Sequence, residues 1–130
     1  DSVRKSGLGA QVATFLTAGD PEHLLGALEA REKPVVLDWG FPPNCLHIVE
    51  EFQESGFELW WLDGDHAQAR ELFVKRGTVP VACFDRQIAA IREKWNDIKK
   101  VFQPRILVAL DSRGARLAPD RIWEQIKHAA

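Results

Sequence analysis

The sequence predicts an α/β protein, a three-layer sandwich in which helices cover both faces of a mostly parallel sheet of about five strands. The first observation behind this prediction is that apolar segments of strand length alternate with amphipathic segments of helix length. The second is that several apolar segments are continuous rather than alternating, which is typical of strands buried on both faces. Together they indicate repeated β-α units with parallel neighbouring strands.

The chain opens with a polar, glycine-rich lead-in, residues 1–10, which we expect to be flexible. QVATFLT (11–17) has the apolar and β-branched composition of a strand. A helix over 19–32 follows, because Asp20 can cap its N-terminus and Pro21 suits the first helical position. We expect one α/β domain from residue 11 to residue 130.

PVVLDW (34–39) is a short apolar run that is typical of a buried parallel strand. A helix over 44–56 comes next, since apolar residues recur there at helical spacing and Gly56 is suited to end it. FELWWL (57–62) is the third predicted strand, in which the adjacent tryptophans Trp60 and Trp61 face opposite sides and pack against helices.

Asp65 can cap a helix over 66–77, which ends at a glycine. TVPVACF (78–84) is predicted as the fourth strand, with Pro80 excluding it from a fully bonded central position. Asp85 can cap one long helix that reaches Phe102, because apolar residues recur there every three or four positions.

RILVAL (105–110) is the last predicted strand. Asp111 suits the first position of the turn DSRG, since an aspartate side chain can bond the backbone just after it. Pro119 then opens the final helix, PDRIWEQIKHA.

The composition is that of an ordinary folded protein without a general attraction to nucleic acid or membranes. The chain of 130 residues has a net charge of −2, and no apolar run approaches the roughly 20 residues of a membrane span. Cys45 and Cys83 are far apart in the sequence and are expected to be reduced thiols of a cytoplasmic protein. Because methionine is absent, we expect the chain to be a piece of a larger or processed protein.

An aspartate stands at the end of each predicted strand or just after it, and parallel strands would bring these carboxylates to one edge of the sheet, where α/β proteins bind ligands. Capping or turn formation explains most of them: Asp20, Asp65, Asp85 and Asp111. Asp38 and Asp63 have no such local role. Asp38 is the candidate metal ligand, since carboxylate oxygens suit Mg²⁺.

The stretch PVVLDWGFPPNCLHIVEEFQESGFELWWLDGDHAQAR resembles P-loop kinases of the small-molecule and nucleotide type in the order of its parts: strand, phosphate loop, helix, strand and an Asp-Gly-Asp segment. The resemblance implies that Asp63 and Asp65 are catalytic residues that orient an acceptor. It also implies phosphate or nucleotide contacts from Gly40, Asn44, Arg76 and Arg86. Mg²⁺ and a nucleotide are the implied cofactors, and a phosphate-bearing small molecule is the implied ligand.

The phosphate loop departs from the GxxxxGK[ST] pattern of these kinases. After Gly40 there is no second glycine, no lysine and no hydroxyl for Mg²⁺. Pro42 and Pro43 also lack the backbone N–H groups that would surround a phosphate. We therefore expect nucleotide binding to be atypical or lost, and the domain to serve in binding or in assembly with a protein partner or the rest of a larger protein. Whether it is an enzyme stays open.

Two alternatives remain. KPVVLDWGFPPNC and GTVPVACF resemble the CxxC and cis-proline segments of thioredoxins and glutaredoxins, with Cys45 at the second cysteine position and Pro80 as the proline. This resemblance implies a redox or interaction domain without the CxxC. The other alternative is a Mg²⁺-dependent phosphoryl-transfer site on Asp38 and Asp63. His66 could join Asp63 in a metal or acid–base site, although a solvated first-turn histidine is the simpler interpretation.

Overall fold

The computed structural model describes residues 22–30 and 43–128. Its α-helices are α1 (Glu22–Glu29), α2 (Leu46–Glu54), α3 (His66–Arg76), α4 (Val81–Glu93), α5 (Trp95–Phe102) and α6 (Pro119–His128). A turn of 3₁₀ helix, Pro43–Cys45, precedes α2, and the strands are β1 (Trp61–Gly64) and β2 (Ile106–Leu110).

The predicted mixture of helix and strand is confirmed, and the two described strands are parallel as predicted. The finer prediction of a five-strand, three-layer sandwich is not supported, because the sheet of the described residues has two strands. The predicted strands 11–17 and 34–39 lie outside the described residues.

The chain divides into two compact units, one up to residue 58 and one from residue 59. In the first unit, α1 buries Leu24, Leu25 and Leu28, and α2 buries Ile48, Val49 and Phe52. This spacing of three and four residues is what an amphipathic helix requires, so helices are confirmed within 19–32 and 44–56. The prediction of one domain over 11–130 stays a prediction.

In the second unit, β1 and β2 pair in register from Trp61 opposite Ile106 to Asp63 opposite Val108, and a bulge follows before Gly64. The strand predicted over 57–62 therefore begins later than expected, at Trp61. The Trp61 ring lies edge-on to Phe102, with ring centroids 5.5 Å apart. This aromatic contact anchors the start of β1 on α5.

Both predicted ends of α3 are confirmed. Asp65 is the N-cap, with its Oδ1 atom accepting a hydrogen bond of 3.0 Å from the backbone N–H of Gln68. Gly77 ends the helix with a φ of 63°, in the left-handed region that glycine adopts without strain.

The strand predicted over 78–84 is wrong, because Pro80 is the N-cap of α4 and helix begins at Val81. The short, mainly apolar run TVPVACF fits either a strand or the first turns of a helix, and periodicity alone does not separate these two outcomes. Here the run continues the helical spacing that leads to Ile88 and Ile91, so it belongs to the helix.

The N-cap role predicted for Asp85 is wrong for the same reason, since Asp85 lies inside α4. The long helix predicted up to Phe102 is two helices, α4 and α5, which meet at Lys94. Lys94 has a φ of −96° and a ψ of 8°, which departs from helical geometry and ends α4 before α5 begins.

The second unit buries Ile98 and Phe102 of α5 together with Leu107 of β2. Ile98 is completely inaccessible to solvent. Burying an apolar side chain of this size stabilises a fold by about 1.5–3 kcal/mol. In the described part of the chain, none of the helices has the length and apolar character needed to cross a membrane.

Candidate functional site

A cleft of about 520 Å³ opens at the carboxyl end of β1. Its polar and aromatic walls are formed by Asp63, Gly64, Asp65, His66, Arg92 and Trp95. The first four residues lie at the end of β1 and the start of α3, and the last two lie where α4 gives way to α5. Ligand sites of α/β sheets occur at this end of parallel strands. The structure therefore brings both predicted catalytic aspartates, Asp63 and Asp65, into one cleft.

Asp63 has its carboxylate on the same face of β1 as the Trp61 side chain, because side chains two residues apart in a strand share a face. The Nε1–H of Trp61 donates to Asp63 Oδ1 over 3.4 Å, a long hydrogen bond. A carboxylate can accept about four hydrogen bonds. Asp63 therefore retains most of its capacity to accept hydrogen bonds from a ligand.

Asp65 has a structural function in the same cleft. Its carboxylate caps α3, and its backbone N–H donates to the carbonyl oxygen of Leu110 over 2.9 Å, which ties the start of α3 to the end of β2. The capping role predicted for Asp65 is confirmed. Its predicted catalytic role stays a prediction.

His66 and Arg92 form a hydrogen-bonded pair in the cleft. The Nε–H of Arg92 donates to Nδ1 of His66 over 3.2 Å. An Nδ1 atom that accepts a hydrogen bond carries no proton, so the neutral ring carries its proton on Nε2. Arg92 therefore selects the tautomer in which Nε2 of His66 is a donor.

The turn after β2 packs against the start of α3. Asp111 Oδ1 accepts hydrogen bonds of 2.9 Å from the backbone N–H groups of Arg113 and Ala115, which confirms the predicted turn role of Asp111. The side-chain amide of Gln68 donates to the carbonyl oxygen of Ser112 over 3.1 Å. The Gln68 bond joins the turn to α3, while the carboxylate of Asp111 is used within the turn itself.

A second cavity of about 410 Å³ lies between α3 and α4 and shares His66, Ala67 and Arg92 with the cleft. At its far side Arg70 and Asp85 form an ion pair, with Nε to Oδ1 at 2.9 Å and Nη2 to Oδ2 at 3.2 Å. The hydrogen bond from Arg70 lowers the pKa of Asp85, and the same bond raises the pKa of Arg70. The positive charge of Arg70 is therefore already paired with the carboxylate of Asp85.

The two arginines predicted to contact phosphate, Arg76 and Arg86, do not line this cleft. Arg76 lies at the end of α3, with its guanidinium 5.8 Å from the centroid of the Phe73 ring. Arg86 donates to the Cys83 sulfur over 3.4 Å on the exposed side of α4. Asn44 belongs to the first unit, where it accepts a hydrogen bond from the thiol of Cys45.

Two further predicted site residues, Asp38 and Gly40, lie outside the described residues. Among residues 22–30 and 43–128, no three side chains of the metal-binding types form a group that could hold a metal ion. The metal role of Asp38 and the phosphate role of Gly40 therefore stay predictions.

Arg92 and Trp95 are the site residues that sequence reasoning missed. Arg92 meets His66 across 26 positions of sequence, so no local spacing marks the pair. Trp95 falls in a helical apolar pattern, which by itself indicates packing, and its ring does contact Trp61, with centroids 6.2 Å apart. Its place beside the cleft depends on the break between α4 and α5 at Lys94.

Comparison with known proteins finds no match to this chain among family models, curated proteins or solved structures.

Proposed function

We propose that the protein is a kinase-like α/β binding module with a degenerate phosphate loop, and that its cleft at the end of β1 holds a small hydroxyl-bearing molecule. The observation that carries this proposal is the position of Asp63, a carboxylate at the carboxyl end of a parallel strand and on the wall of the cleft. The cleft volume of about 520 Å³ is within the range of small-molecule sites.

The cleft offers complementary chemistry for such a ligand. The Asp63 carboxylate can accept hydrogen bonds from one or two hydroxyl groups, which are stronger than bonds between neutral partners. Trp95 supplies an aromatic wall against which a planar ring or the apolar face of a sugar can pack. A nucleoside combines hydroxyl groups with a planar ring and is the ligand class that we consider first.

A binding role is better supported than catalysis. Asp65, the second aspartate of the kinase-like segment, uses a carboxylate oxygen to cap α3. Pro42 and Pro43 have no N–H groups to offer a nucleotide phosphate. The thioredoxin-like alternative, with Cys45 at the second cysteine position and Pro80 as the proline, stays a prediction.

The test is isothermal titration and thermal denaturation with adenosine, with and without Mg²⁺. A ligand that binds only the native state at 100 times its dissociation constant adds about 2.7 kcal/mol to the free energy of unfolding, which is easily detected. Asp63→Asn removes the charge of the acceptor at constant size, and we expect adenosine affinity to fall about tenfold.

The matched control is Asp120→Asn, which removes a carboxylate in the first turn of α6 and leaves the cleft unchanged. We expect it to bind adenosine as the unmodified protein does. The proposal is wrong if adenosine does not bind, or if Asp63→Asn binds it with unchanged affinity. Stabilisation by Mg²⁺ alone, lost in Asp38→Asn, would instead support the metal-dependent alternative.

A further inference from the structure

His66 and Arg92 lie at the border of both cavities of the second unit, the cleft at the end of β1 and the cavity between α3 and α4. A ligand in either cavity would therefore meet this pair. The structure alone shows this pair, because a histidine and an arginine 26 positions apart form no recognisable motif in the sequence.

The geometry of the pair of His66 and Arg92 leaves hydrogen-bond donors for a ligand. Nδ1 of His66 is occupied by the Nε–H of Arg92, so the neutral ring presents Nε2–H as a donor. Within residues 22–30 and 43–128, the bond to Arg92 is the only hydrogen bond recorded for the His66 side chain. The pair therefore presents donors to a ligand and no acceptor.

Arg92 is also the better of the two arginines for holding an anion. Of the arginines that line these two cavities in the described part of the chain, Arg70 is already bound through two nitrogens to Asp85. Among the described residues Arg92 makes a side-chain hydrogen bond through Nε alone, so its two terminal Nη groups stay available there to oxygen atoms. Because the Nε bond restrains the side chain, less conformational entropy is lost when an anion binds.

We propose that His66 and Arg92 form an anion subsite, in which the Nη groups of Arg92 and the Nε2–H of His66 bind the phosphoryl or carboxylate group of the ligand. This deepens the proposed function and rests on it, since it takes the cleft to be a ligand site. It also supplies a cation for a phosphate in a chain whose phosphate loop contains no lysine.

The carboxylates next to the pair restrict which ligands can bind. Asp63 and Asp65 line the same cleft, and their negative charges make an isolated phosphate bind more weakly than a ligand that also gives hydroxyl groups to Asp63. A molecule that gives hydroxyl groups to Asp63 and an oxyanion to Arg92 satisfies both groups at once. The ligand is therefore a small hydroxylated molecule with one anionic group, of which a nucleoside monophosphate is an example.

The first experiment tests the subsite without assuming the rest of the ligand. Inorganic phosphate is added to the full chain, and the side-chain ¹⁵N resonances of His66 and Arg92 are followed by NMR, with sodium chloride at equal ionic strength as the salt control. We expect phosphate, and not chloride, to shift both resonances in a saturable manner. The absence of such a shift would overturn the inference even if adenosine binds.

The second experiment compares AMP with adenosine, which differ only in the phosphoryl group. We expect AMP to bind about tenfold or more tightly than adenosine, since hydrogen bonds to charged groups contribute most. Arg92→Gln should remove this advantage and leave adenosine affinity nearly unchanged. Arg121→Gln, at an exposed arginine of α6, should retain the advantage.

The outcomes separate the two proposals. Phosphate shifts at His66 and Arg92 without binding of adenosine would support the subsite and refute the proposed function. Equal affinities for AMP and adenosine, or an unchanged advantage of AMP in Arg92→Gln, would refute the subsite. His66→Gln provides a second variant, in which the advantage of AMP should shrink while the thermal midpoint confirms folding.

Discussion

Gly114 shows how a single residue allows the turn after β2 to lie against α3. It lies in the turn after β2 with a φ of 82°, in the left-handed region that favours glycine. A Cβ atom at this position would lie 2.8 Å from Oε1 of Gln68. The same Gln68 side chain holds the turn to α3 through its bond to Ser112. Gly114 thus permits the contact between this turn and α3.

We expect Gly114→Ala to lower the free energy of unfolding by about 1–2 kcal/mol, because the left-handed conformation strains any residue that has a Cβ atom. The Gln68 side chain must also move, which weakens its bond to Ser112. Urea denaturation measures the change. Gly26→Ala is the opposing control, since Gly26 lies inside α1 with open space at its Cβ position and should gain about 0.5–1 kcal/mol. Equal effects of the two changes would contradict this explanation.

Asp63 and Asp65 show that residues of one type, two positions apart, can acquire different roles. Asp65 stands at the junction of a strand and a helix, where its carboxylate meets the unpaired N–H groups of the first helical turn. Asp63 lies within β1 rather than at the start of a helix, and it lines the cleft. The sequence predicts this distinction correctly for Asp65, because a capping bond depends on residues only three positions away.

At the scale of the elements, α3 and α4 are joined by the ion pair of Arg70 and Asp85. The side chains are about half exposed, at 51% and 49%, so water screens the attraction between them. The hydrogen bond from Arg70 nevertheless lowers the pKa of Asp85. A carboxyl group whose pKa is lower in the folded state stabilises the fold only while it is ionised.

We expect the pair to make a small, pH-dependent contribution to stability. It should be fully present above the ordinary aspartate pKa of 3.8 and be lost as the pH falls through the lower pKa of the folded state. The thermal midpoint of the protein should therefore exceed that of Asp85→Asn at pH 7, and the difference should vanish in strong acid and shrink in high salt.

The control for this prediction is the same pair of proteins in an Arg70→Gln background. Without the guanidinium, the pH dependence of the difference should disappear, since the hydrogen bond that lowers the pKa of Asp85 is gone. A pH dependence that persists there would assign the effect to another partner.

At the scale of the whole molecule, each of the two compact units buries apolar side chains. In the second unit, Ile98 of α5 is fully buried, while Lys100, two residues later, is exposed. The contrast follows from helical periodicity, which turns neighbouring positions to different sides. Most of the stability of this unit depends on such buried side chains, because the described sheet has only two short strands.

We expect Ile98→Ala to lower the free energy of unfolding by about 2–5 kcal/mol, through lost burial and the cavity that remains. Lys100→Ala on the same helix should change it by less than about 0.5 kcal/mol, as is usual for exposed positions. Tryptophan fluorescence in urea measures both, since four of the five tryptophans lie after residue 58. If Ile98→Ala lowers the free energy of unfolding by less than about 1 kcal/mol, Ile98 is not central to the core.

The sequence predicted the elements that depend on short-range contacts. The ends of α3 at Asp65 and Gly77 followed from a capping bond and a left-handed glycine, and the turn at Asp111 followed from bonds to the next few residues. The prediction failed at 78–84, where a short run fits strand and helix equally well and the helical spacing that continues to Ile88 and Ile91 makes it part of α4. It also failed for Asp85, whose partner Arg70 lies on another helix.

The candidate site likewise contains residues that the sequence predicted and residues that only tertiary packing brings together. By itself the sequence determined that aspartates would stand at the end of the strand now seen as β1, because that order is a property of the chain. Only the tertiary structure decided that α4 would turn back along α3 and bring Arg92 to His66. Contacts between residues far apart in sequence depend on how whole elements pack, and no local pattern of side chains specifies that packing.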